Sequence, residues 1–107
     1  MTDILPKESF TDNLNTQFRI FFEPDISVNL ELVNISEGVS TPEQEQFSLF
    51  FRGPLETPFQ QGIHRLEHER MGELQLFLVP VDRKPDGMVY EAAFNRFIKQ
   101  GEGSSNG

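Results

Sequence analysis

The most suggestive chemistry in this chain is the run His64-Arg-Leu-Glu-His68, which fits the H-x-x-E-H string of inverted zinc peptidases. In that chemistry two imidazoles one helical turn apart bind the metal, and the glutamate beside them serves as the base. The string works only on a helix, where residues four apart share a face. Here Gly62 precedes the run, Met71-Gly72 follows it as a turn signal, and the next segment alternates with period two. In an extended strand the two imidazoles would stand roughly 13 Å apart, too far to meet at one zinc. A strand puts His64, Leu66 and His68 on one face and Arg65, Glu67 and Glu69 on the other, so His68 reads as a hydrogen-bonded structural residue.

Other constellations carry less. Glu67 and Glu91 could pair as an acid and a base, but among 17 acidic residues such pairs arise by chance, and exposed charge explains them better. Asp82 and Asp86 flank a turn without the ligand ladder of a calcium loop. Arg52-Gly53-Pro54 ends a strand with no phosphate-binding glycine motif after it, so Arg52 reads as a cross-strand partner for a carboxylate. Cysteine is absent, which removes disulfides, thiolate metal sites and thiol nucleophiles. No cofactor or metal is expected, and no catalytic residue is assigned.

Composition narrows the partners. The 107 residues carry a formal charge of -8, which disfavours phosphate backbones and anionic lipid, so neither nucleic acid nor a membrane is expected as a partner. The start, Met1-Thr-Asp-Ile-Leu-Pro-Lys7, lacks the features of a signal peptide, and no stretch is apolar enough to span a bilayer. A cytoplasmic protein is the expectation. Phenylalanine occurs 11 times against one tyrosine and no tryptophan, so the core should be built from phenylalanine rings.

The elements that would position these residues are strands. Ser9-Phe-Thr-Asp12 has capping-box spacing and predicts one short helical turn with Phe10 and Leu14 on one face. Phe18, Ile20 and Phe22 alternate, Pro24-Asp25 punctuates, and Ile26, Val28, Leu30 and Leu32 alternate again, predicting an antiparallel pair. The acidic stretch from Glu37 to Gln46 reads as a solvated loop before a strand at Phe47. Pro54 to Gln61 reads as an ordered loop with Phe59 tucked inward, and Met71-Gly72 and Asp86-Gly87 mark hairpins. From Val89 onward a strand to about Phe94 competes with a helical stripe through Phe97 and Ile98, and the strand is favoured.

These spacings predict an all-β fold of about six antiparallel strands in a small sandwich or barrel, as one β-domain over residues 1–98 with a disordered tail over 99–107. Phe21, Phe50, Phe77 and Val79 would then point away from the core. Either loops bearing Phe10, Leu14 and Phe59 fold over those rings, or the rings form a protein-protein contact, and loop cover is the favoured reading.

The residues Phe47-Ser-Leu, Phe51-Arg-Gly-Pro54, Gln61-Gly62, Arg65-Leu-Glu-His68, Gly72-Glu-Leu, Leu76-Phe-Leu-Val-Pro80, Tyr90-Glu-Ala and Phe94-Asn95 together resemble a bacterial family of domains of unknown function. His64 and the Gly-Ser-Asn tail depart from its pattern. The resemblance brings no activity, cofactor or catalytic residue. It implies an accessory role beside phage-tail collar or fibre proteins. The expected function is therefore a non-catalytic structural or interaction protein with a protein partner or a second copy of itself. A barrel holding a small apolar ligand and a zinc hydrolase using His64 and His68 are the alternatives.

Overall fold

The computed structural model describes residues 7–23 and 26–97. A short helix α1 (Lys7–Thr11) precedes six strands: β1 (Gln17–Glu23), β2 (Ile26–Ser40), β3 (Gln44–Gly53), β4 (Gly62–His68), β5 (Gly72–Lys84) and β6 (Gly87–Phe97). All pairings are antiparallel, and the sheet closes on itself in the order β1-β2-β3-β6-β5-β4. Closure settles the choice between sandwich and barrel, and it removes most of the open edge that a flat sheet would leave.

Alternation decides which residues fill the barrel. Phe18 and Ile20 from β1, Leu30 and Leu32 from β2, Leu49 and Phe51 from β3, Leu66 from β4, Leu78 from β5 and Tyr90 from β6 are all completely buried. Every one is an inward member of a period-two pattern. The rings interlock: Phe18 meets Phe51 edge-on at 5.3 Å between centroids.

Both mouths are plugged by aromatic side chains. At one, α1 delivers Phe10, completely buried, against Phe47 at 6.4 Å and Phe94 at 5.8 Å, and those two rings are themselves stacked at 4.7 Å. At the other, the 54–61 loop lays Phe59 flat on Tyr90 at 3.8 Å, with Phe22 at 5.2 Å. The Tyr90 hydroxyl accepts a hydrogen bond from the Phe59 amide at 3.2 Å. Burial pushes the Tyr90 phenol above its ordinary value, with a smaller opposing contribution from that bond.

Glu37 to Gln46 is no loop: β2 runs to Ser40, β3 begins at Gln44, and the turn is confined to Thr41–Glu43, where the Thr41 hydroxyl accepts the amides of Glu43 and Gln44. The residues are polar there because the ends of β2 and β3 extend past the barrel. Ser9 lies inside α1 and does not cap it, and the helix stops before Leu14, which is 37% exposed. Phe10 and Phe59 enter the barrel's ends and so cannot cover the outer rings. The segment after Val89 is strand throughout, to Phe97. The predicted tail over 99–107 and the Pro24-Asp25 punctuation lie outside the described residues.

Candidate functional site

The two imidazoles share the more buried face of β4 with Leu66, yet they serve different ends of the barrel. His64 lies at the Phe59 mouth, with its ring edge-on to Phe59 at 4.8 Å and Phe22 at 5.7 Å, and its Nε2 is 3.0 Å from the Gln60 carbonyl. His68 lies at the α1 mouth, packed on Phe18 at 4.4 Å and only 6% exposed. Glu67 points to the outer face, with Arg65 3.4 Å away. The convergence that the H-x-x-E-H string needs is not formed. Among the described residues no group of three or more His, Asp or Glu side chains is arranged to hold a metal.

His68 is held at both nitrogens. Its Nδ1 accepts the amides of Arg70 at 3.0 Å and Met71 at 3.2 Å, so the proton of the neutral ring sits on Nε2 and is donated to the Thr16 hydroxyl at 2.8 Å. Thr16 passes the chain on, donating to the Asn13 carbonyl at 2.5 Å. Burial, and then the Arg70 charge, lower the His68 pKa from its ordinary 6.5, while Glu69 opposes them. The residue ties the β4–β5 hairpin to the segment after α1. Thr16→Val, which leaves the Nε2 proton without an acceptor, is expected to cost about 1–3 kcal/mol in urea unfolding followed by circular dichroism.

The remaining acidic and basic candidates are ion pairs at the surface. Arg52 bonds Glu31, its register partner across β2, at 2.8 Å and Asp86 at 3.0 Å, as its place at a strand end suggests. Asp82 accepts the Arg83 amide at 2.8 Å and faces Lys84 at 3.2 Å. Glu67 and Glu91 are not brought together, since β5 runs between their strands, and Glu91 instead accepts the Ser48 hydroxyl at 2.6 Å.

The outer wall carries the unexplained apolar surface. Phe50 on β3 stands opposite Glu91 on β6, which in turn stands opposite Val79 on β5, so Phe50 and Val79 flank one carboxylate. Two bulges add to this row. The register skips Val33 between Leu32 and Asn34 and skips Val81 between Pro80 and Asp82. With Phe50, Val89 and Lys84, these two valines line an outer cleft of about 370 Å³. Farther along β5, Phe77 is 52% exposed beside its register partner Ile63, which is 71% exposed.

Phe21 lies apart from that row, on β1 with the Arg65 guanidinium 4.2 Å over its ring. Of the outward residues read from the sequence, the fold therefore groups Phe50, Val79 and Phe77 and separates Phe21. Val33 and Val81 were missed. Their signal was a break in phase: Leu32 and Ile35 both face inward three residues apart, and a proline, Pro80, stands within β5 just before Val81.

No helix among the described residues is long and apolar enough to cross a membrane. No curated protein and no solved structure matched the chain. A family model did match, over residues 5–94, which takes in α1 and all but the last residues of β6. The chain belongs to the family of the domain of unknown function DUF6916.

Proposed function

We propose that this barrel is a non-catalytic interaction module that presents its β3-β6-β5 outer wall to a protein partner. The observation that carries the reading is the apolar row of Val33, Phe50, Val79, Val81 and Phe77 on the outer wall, in which Phe77 is 52% and Val81 46% exposed. The interior supports the same reading, because side chains fill it and aromatic rings plug both mouths, leaving little room for an apolar ligand. The two imidazoles are committed to holding segments in place. The setting we propose is the one the family resemblance implies, an accessory role beside phage-tail-like fibres inside the cell that builds them.

A second copy of the chain is the simplest partner to test. Light scattering at micromolar concentration should give a mass above that of one chain, and Phe77→Glu with Val81→Glu should return it to one chain without lowering its melting temperature. Both side chains are about half exposed, so a charge there disturbs the surface and spares the core. If the unsubstituted protein is a monomer, the partner is a different protein. Affinity capture from the source cell should then recover a protein that the double variant loses, and equal recovery by both would overturn the reading.

A further inference from the structure

We propose that His68 makes the α1 cap an acid-released latch over one mouth of the barrel. The hydrogen bonds at Nδ1 hold the ring in its neutral form. A second proton on Nδ1 would point at the amides of Arg70 and Met71, which now donate to that atom at 3.0 and 3.2 Å. Protonation must therefore break both bonds and shift the hairpin turn.

That turn is wired to the cap. Arg70 Nε donates to Asn13 Oδ1 at 3.0 Å, Asn13 Nδ2 donates to the Ser9 carbonyl of α1 at 2.7 Å, and Thr16 joins the ring to the Asn13 carbonyl. Moving the turn pulls on the segment that carries Phe10.

The charges around the ring favour release. Arg70 repels an imidazolium and Glu69, on the same turn, attracts it more weakly. From the cap side Asp12 shares a surface cleft with Arg70, while Phe18 from β1 and Gly72 from β5 bring no charge. The sign follows from linkage. Because the closed form holds the proton less tightly than the open one, closure is fully stabilised above about pH 6.5 and weakens as pH falls through that value toward the closed-form pKa. Within this window the open population rises by up to about tenfold per pH unit. Opening uncovers the stacked pair Phe47 and Phe94 beneath Phe10.

Deuterium exchange of residues 7–16, corrected for the intrinsic effect of pH, tests the latch on the full chain. Protection should fall between pH 7.5 and 5 in the unsubstituted protein, while the strands keep theirs. In His68→Asn, whose side-chain oxygen can accept the two turn amides without titrating, protection of the cap should be independent of pH. Constant protection in the unsubstituted protein, or the same acid loss in His68→Asn, would overturn the proposal. Should His68→Asn not fold, long-range proton-nitrogen spectra of the unsubstituted protein decide: an Nε2–H tautomer titrating below 6.5 supports the latch, and a ring titrating at or above that value refutes it.

Discussion

Phe10→Ala is expected to cost the fold about 3–5 kcal/mol, the range for deleting a completely buried phenylalanine. The effect belongs at the top of that range because little can close the void. Phe47 and Phe94 are stacked on each other at 4.7 Å and anchored on paired strands, so neither can swing into the space. Five residues of helix have no stability of their own and depend on this ring to stay on the barrel, together with the Lys7–Glu37 ion pair. Urea unfolding gives the number, and Phe10→Leu, which keeps most of the volume, should lose far less. A cost under about 1 kcal/mol would mean that the mouth is not closed by this residue.

The second large effect is expected at Gly87, which opens β6 after the Pro85-Asp86 turn. Its φ is +154°, and a Cβ built there would lie 2.6 Å from the Gly53 carbonyl oxygen and 2.7 Å from Arg52 Cγ. The oxygen belongs to the backbone of a paired strand and cannot step aside. Gly87→Ala combines backbone strain with overpacking and should cost about 2–5 kcal/mol. Gly72 is the control. Its φ is +78° but nothing lies within 4 Å of its absent Cβ, so Gly72→Ala should show the strain alone, about 1–2 kcal/mol. Equal costs at the two positions would contradict the close approach of Gly87 to β3.

Much of this architecture was legible in the residues because one physical rule governs it. Where a strand buries one side, as Phe18-Arg-Ile does in β1 and Leu74-Gln-Leu-Phe-Leu does in β5, alternation is plain. The rule fails where strands outrun the barrel. Beyond Ile35 the side chains of β2 are exposed, so its polar residues resembled a loop although the backbone pairs continue to Ser40. It fails again at Val33 and Val81, where one extra residue shifts the phase and turns a valine outward. The strand origin of the His64–His68 run was readable from its flanking glycines. Its separate partners were not, because Thr16 lies 52 residues from His68 and meets it only after closure of the barrel.

The grouping on the candidate wall was less legible still. Phe50, Val79 and Phe77 were recognisable as outward-facing from the pleat alone, but their grouping depends on which strands are neighbours. The order β3-β6-β5 places a strand from the end of the chain between two earlier ones. The same order sets Phe21 apart under Arg65.

The two imidazoles hold separate ends of a filled barrel, and on that geometry rests the proposal that the outer wall meets a partner. Long-range proton-nitrogen spectra recorded while one equivalent of zinc is added test it directly. His64 and His68 should keep their own tautomers and shifts, unchanged at stoichiometric metal. Both rings moving together and saturating at one equivalent would show them converging on a single ion, and would contradict it.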